Sequence, residues 1–131
     1  MTTIKGIAYV GLSVRDARRS AAWYAELLRL STVRESFGEG EWDEVLMRHP
    51  CGLEIGLLQH AGNSGAAFSE FTTGLDHLEF EVGSAEELDG WRRRLDELGI
   101  RYTSGLPHIV TFRDPDNIQL EFFWPGGKDS S

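Results

Sequence analysis

Leu75-Asp76-His77-Leu78-Glu79-Phe80-Glu81-Val82 has the pattern of a half-buried β-strand. Apolar and polar residues alternate along it at the strand period of two, so one face is greasy and the other carries His77, Glu79 and Glu81. Ile7 to Val14, I-A-Y-V-G-L-S-V, alternates in the same way 68 positions earlier (75 − 7). Each stretch is followed by apolar residues at helical spacing. Ser20, Trp23, Leu27 and Leu30 match Leu88, Trp91, Leu95 and Leu98 at that same offset, and each set makes one helix face. Ser84 with Glu87 forms a capping box and Gly99 a terminator for the second helix, while Asp16 starts the first.

The repeat continues to the end of each half. Val45-Leu46-Met47-Arg48-His49-Pro50 matches Val110-Thr111-Phe112-Arg113-Asp114-Pro115 at an offset of 65 (110 − 45). Leu53-Glu54-Ile55 matches Leu120-Glu121-Phe122 at 67 (121 − 54), which implies two residues added in the second hairpin turn. Further strands are expected near 32–37, 42–48 and 53–58, and near 101–104, 108–113 and 118–124. Gln59 to Gly74, rich in Gly, Ala, Ser and Asn, reads as a linker. The expectation is one α+β domain, 1–131, built of two βαβββ modules at about 4–60 and 74–125. The tail after Trp124 reads as frayed.

Composition narrows the function classes. The chain has 131 residues, enough to bury a core, and a formal net charge of −8 with no basic run longer than Arg92-Arg93-Arg94. It lacks the phosphate-neutralising stripe that dominates nucleic-acid affinity, so nucleic acid is not an expected partner. The single cysteine, Cys51, allows no internal disulfide. No apolar run reaches signal-peptide or membrane-span length, and the expected location is the cytoplasm, with no membrane partner.

Strand alternation sorts the side chains between two faces. Ala8, Val10, Leu12 and Val14, with Leu78, Phe80 and Val82, are expected on the helix side. Tyr9, Glu54, His77 and Glu121 fall on the opposite face, Tyr9 matching His77 and Glu54 matching Glu121. Gln119 and Phe123 share that face, and Glu79 and Glu81 are expected at its rim or in solvent. A strand histidine is more often a hydrogen-bonded side chain than a ligand. The coincidence of three such residues at matching places points instead to a metal. Carboxylates held close repel unless a cation or proton sits between them. One imidazole with two carboxylates, His77, Glu54 and Glu121, suits Mn, Fe, Co, Ni or Zn.

The pattern resembles the vicinal oxygen chelate superfamily, which includes glyoxalase, bleomycin-resistance and dioxygenase-like proteins. The resemblance runs from Ile7 to Trp124. Its most specific pieces are Leu12-Ser13-Val14-Arg15-Asp16 leading into Trp23-Tyr24, and the ending Phe112-Arg113-Asp114-Pro115-Asp116-Asn117-Ile118-Gln119-Leu120-Glu121-Phe122. It implies two modules forming a cupped mixed sheet, assembled as a homodimer, with metal ligands on the first and last strands of each module. Glu54, His77 and Glu121 stand at three of those ligand places, and Tyr9 stands where a histidine is usual. A neutral phenol is a poor ligand for these ions. Extradiol dioxygenases use two histidines and one carboxylate, whereas this chain offers one histidine at the ligand places.

Two functions follow from the resemblance. One is a metal-dependent lyase or isomerase of the glyoxalase type, acting on a small oxygenated metabolite. There the ion polarises vicinal oxygens and stabilises an enediolate, Glu121 or Glu54 moves a proton, and Tyr9 donates a hydrogen bond. The other is a metal-free protein that sequesters a small molecule such as an antibiotic. Its cleft would be walled by Phe37, Trp42, Phe68, Phe71 and Phe123, with Gln119 orienting the ligand.

Overall fold

The structure, a computed structural model, describes residues 2–126. The expected frayed tail therefore lies, from residue 127 on, outside the described residues. The chain divides between Ala66 and Ala67 into two compact units. The first contains β1 (Val10–Ser13), α1 (Ala17–Leu28), β2 (Ser31–Ser36), β3 (Trp42–Arg48) and β4 (Glu54–His60). The second contains β5 (Leu78–Glu81), α2 (Ala85–Glu97), β6 (Tyr102–Leu106), β7 (Ile109–Arg113) and β8 (Gln119–Phe123). Each unit is a βαβββ module, and the α+β class expected from the repeat is observed.

The sheets have the same topology, β1-β4-β3-β2 in one unit and β5-β8-β7-β6 in the other. In each, the first strand runs parallel to the last, and the remaining pairs are antiparallel. The parallel pairing follows from the crossover helix, which carries the chain back across the sheet before the antiparallel strands begin.

Both helices start where the sequence says. The Asp16 side chain accepts from the Arg19 amide at 3.0 Å, and Ser84 accepts from the Glu87 amide at 3.1 Å. Glu87 reaches back to the Gly83 amide at 2.7 Å. At the end of α2, the amide of Gly99 bonds to the Asp96 carbonyl and that of Ile100 to the Leu95 carbonyl, with Gly99 at φ 69°. This is a Schellman closure, for which glycine suits the left-handed turn. α1 ends instead on Arg29 at φ 58°, a left-handed residue that does carry a Cβ.

The helix faces bury most of what the periodicity marked, Trp23, Trp91 and Leu98 being half-buried. Ser20, Leu27, Leu88 and Leu95 are all buried, as are Ile55 and Leu57 in the first unit's sheet and Leu120 and Phe122 in the second's. Trp91 stacks on Phe122 with centroids 4.3 Å apart, and Phe112 also stacks on Phe122 at 5.0 Å.

Two sequence expectations need correction. The first strands are shorter than 7–14 and 75–82. Ala8 is exposed, Ile7 is 86% exposed, and of the expected helix-side set in the first unit only Leu12 and Val14 are fully buried. The reason is the ladder. Among the described residues β1 pairs only with β4, and before Glu54 the β4 chain is a hairpin turn that offers no continuous partner backbone.

The second correction concerns register. No residues are added in the second hairpin, since the turns span 49–53 and 114–118. Arg48 pairs with Glu54 and Leu46 with Gly56, as Arg113 pairs with Gln119 and Thr111 with Glu121. The offset of 65 therefore holds throughout, so Glu54 corresponds to Gln119, and Glu121 to Gly56. The turn hydrogen bonds agree: His49 with Leu53 and Gly52 is repeated by Asp114 with Ile118 and Asn117. The match of Leu-Glu-Ile to Leu-Glu-Phe is two residues out of step. A slip of two keeps every side chain on its face, so alternation alone does not detect it.

Candidate metal centre

β5 and β8 lie side by side with Glu79 opposite Glu121. His77 precedes Glu79 by two residues and emerges just before β5 begins. Strand alternation puts the three side chains on one face, and one donor atom from each lies within 4.8 Å of the others. Nε2 of His77 is 3.5 Å from Glu79 Oε2 and 3.5 Å from Glu121 Oε1. Ligands about 2.0–2.2 Å from a divalent ion stand about 3.0–3.5 Å apart at adjacent coordination positions, so this donor set fits such an ion.

The electrostatics ask for positive charge. Like charges directly across a strand pair destabilise it, and the Glu121 side chain is only 14% exposed. Burial pushes the Glu79 carboxyl up, and the hydrogen bond and charge of Glu121 add to that, against His77. His77 is shifted toward its charged form, first by its hydrogen bond to Asp76 and then by the charges of Glu121, Asp76 and Glu79, with desolvation opposing. Both shifts favour the protonated forms, which is the direction expected of a cluster short of positive charge.

The surrounding contacts hold this arrangement. Thr111 Oγ1 donates to Glu121 Oε2 at 3.0 Å. His77 Nδ1 lies 2.7 Å from Asp76 Oδ1, and Gln119 Nε2 donates to the Asp76 carbonyl and Oδ1 at 3.2 and 3.3 Å. Arg113 reaches Gln119 Oε1 at 3.3 Å and grips Glu70 bidentately at 3.1 and 2.9 Å.

The structure brings His77 and Glu121 together, adds Glu79, and places Glu54 in the first unit. Arg48 binds the Glu54 carboxylate there at 2.8 and 2.9 Å. The positions corresponding to His77, Glu79 and Glu121 are Tyr9, Gly11 and Gly56 in the first unit. The Tyr9 ring lies over both glycines. A Cβ on Gly56 would stand 2.9 Å from Tyr9 Cε2, and one on Gly11 would stand 3.5 Å from it. Tyr9 is 47% exposed.

Of the expected cleft aromatics, Phe37 carries the Arg18 guanidinium over its ring at 3.8 Å. Trp42 is exposed and packs beside His60, with centroids 5.7 Å apart. Phe123 and Phe68 are half-buried, whereas Phe71 is 93% exposed. Gln119 uses both ends of its amide within the protein. Glu79, expected at the rim or in solvent, is the residue that sequence reasoning missed. Its alternation with His77 is visible in the sequence, but its place beside Glu121 needs the register.

Each unit is thus a βαβββ module, and in the second a histidine and two carboxylates meet at its first and last strands, His77 just before β5. The family model described as the Glyoxalase/Bleomycin resistance protein/Dioxygenase superfamily matches residues 6–122. The chain belongs to that family.

A glyoxylase/bleomycin resistance protein/dioxygenase domain from Frankia sp. EAN1pec is 36% identical and superposes with a TM-score of 0.83, over 93% of this chain and 98% of that one. The fosfomycin resistance protein FosX from Listeria monocytogenes shares the fold at 22% identity. A glutamate-to-glutamine mutant of that FosX, complexed with Mn(II) and 1S,2S-dihydroxypropylphosphonic acid, superposes with a TM-score of 0.73 over 93% of each chain. FosX from Mesorhizobium loti is 18% identical, with a TM-score of 0.70 over 92% of each chain. No curated protein sequence matches the chain. Among the described residues, no helix is long and apolar enough to cross a membrane.

Proposed function

We propose that this protein is a divalent-metal-dependent lyase or isomerase acting on a small oxygenated metabolite. The observation that carries this reading is the cluster of one imidazole and two carboxylates, with donor atoms within 4.8 Å, on adjacent strands of the second unit. When bound, the ion would supply Lewis-acid polarisation of neighbouring substrate oxygens. His77, Glu79 and Glu121 would hold it, leaving coordination positions open for substrate. Thr111 keeps one oxygen of Glu121 engaged and so orients the other toward the ion. Glu121 is assigned the proton transfer at the substrate carbon. That assignment rests on the sequence resemblance, as do the homodimer and the cytoplasmic location. Manganese in the FosX complex supports Mn(II) as the first ion to try, followed by Fe, Co, Ni and Zn.

One observation favours a second reading. The first unit has an exposed tyrosine ring laid on two glycines where the second unit has ligands. That suits a sequestering protein that holds a flat molecule by stacking. Turnover separates the two. A panel of α-hydroxy carbonyl and thiol-adduct substrates is assayed with Mn(II), then with chelator. An enzyme loses turnover on chelation and in His77→Ala. A sequestering protein turns nothing over and binds its ligand equally well in chelator.

A further inference from the structure

We infer that Asp76 and Gln119 are positioning residues that lock the His77 ring with Nδ1 protonated, so that Nε2 is the bare atom offered to the ion. The inference rests on the metal-site reading above for its purpose, but its geometry stands in the ion-free protein.

The chain of contacts has a fixed polarity. A guanidinium only donates and a carboxylate only accepts. Gln119 sits between the two, so its Oε1 must face Arg113 and its Nε2 must face Asp76; the amide has one satisfied orientation. Asp76, held by that amide through both its carbonyl and Oδ1, then accepts from His77 Nδ1 at 2.7 Å. A neutral imidazole carries one proton. With that proton on Nδ1, the Nε2 lone pair faces Glu79 and Glu121. The far end is anchored as well, because Glu70 fixes Arg113 through two hydrogen bonds.

The repeat supplies an internal comparison. The first-unit counterpart of Gln119 is Glu54, beside Arg48 just as Gln119 is beside Arg113. The counterpart of Asp76 at the 68-residue offset is Ala8 (76 − 68). Where no acid stands next door, a carboxylate can meet the arginine. Where Asp76 stands next door, a carboxylate at 119 would repel it, and the neutral, two-ended amide is the side chain that serves both neighbours. The pairs Asp76/Gln119 and Ala8/Glu54 differ together between the units, and the histidine is found in the unit with the acid.

The test uses the full-length protein and the variants Asp76→Ala and Gln119→Glu. Asp76 is an exposed side chain, and glutamate matches glutamine in size, so both variants should fold. The first readout is the ¹⁵N spectrum of His77 in ion-free protein, at alkaline pH where the ring is neutral. Wild type should show Nδ1 protonated and Nε2 bare. Asp76→Ala should move the proton to Nε2, and Gln119→Glu should populate both forms. The second readout is Mn(II) affinity by calorimetry, which should fall about 10- to 100-fold in Asp76→Ala, the range for loss of an outer partner of a metal-bound histidine. A wild-type ring protonated on Nε2, or a tautomer unmoved in Asp76→Ala, overturns the inference. If wild type shows the Nδ1–H ring but binds no Mn(II), the metal reading fails and the positioning stands.

Discussion

Replacing Glu79 by glutamine should stabilise the ion-free protein and weaken its hold on Mn(II), two effects of opposite sign from one atom. Glu79 and Glu121 are neighbours across the β5–β8 pair, with donor oxygens no more than 4.8 Å apart. Coulomb's law over 4.8 Å gives about 1 kcal/mol of repulsion in water and about 3.5 kcal/mol at an effective dielectric constant of about 20. Glu79 is partly exposed, so the lower figure applies, about 1 kcal/mol. For a chain of this size that raises Tm by about 3–5 °C. The gain should be largest where His77 is neutral and shrink at lower pH, where the imidazolium 3.5 Å from both carboxylates offsets their repulsion.

Added ion reverses the order. At about 100 times its Kd, Mn(II) stabilises wild type by about 2.7 kcal/mol. If losing one of three donors weakens binding about 100-fold, the same concentration gives the variant only about 0.4 kcal/mol. Differential scanning calorimetry of both proteins, in chelator and in Mn(II), reads all four values. A Glu79→Gln protein less stable than wild type in chelator would refute the repulsion. An equal Mn(II) shift in the two proteins would remove Glu79 from the site.

Other expected outcomes follow from particular contacts. Arg113 holds the Glu70 carboxyl down from 4.5 to about 2 by its hydrogen bonds, so Glu70 stabilises the fold above its unfolded value, and that contribution is lost as pH falls through about 2. Glu70→Gln should therefore flatten the acid limb of a stability–pH curve between 4.5 and about 2, measured by urea titration. Arg29→Gly should stabilise by about 0.5–1 kcal/mol in the same assay, because glycine takes the φ 58° cap without the Cβ penalty. Phe122→Ala should destabilise by about 3–5 kcal/mol, since the ring is 1% exposed and stacked on both Trp91 and Phe112.

The fold was legible because the helices carry unambiguous signals. The Trp23/Trp91 faces and the caps at Asp16 and Ser84 fix where each module's crossover lies, and the topology follows from that. The site was legible in its face but not in its rungs. Alternation put His77 and Glu121 on one side, yet a period of two cannot distinguish Glu54 from Gly56 as the counterpart of Glu121. Glu79 was passed over for the same reason, since its company depends on which residue of β8 lies beside it. The Glu70–Arg113–Gln119–Asp76 chain was invisible because Glu70 sits in an aperiodic stretch. That stretch, read as a plain linker, is fastened within the second unit by Phe68 and Glu70 through contacts to Asp116, Asn117 and Arg113. No local pattern announces such bonds.

Whether His77, Glu79 and Glu121 hold an ion is decided by the ion content of the purified, untagged protein after loading with Mn(II) and washing, beside His77→Ala treated identically. About one ion per chain is expected in wild type and none in the variant. An empty wild type, or a variant that keeps as much ion as wild type, would contradict the metal reading.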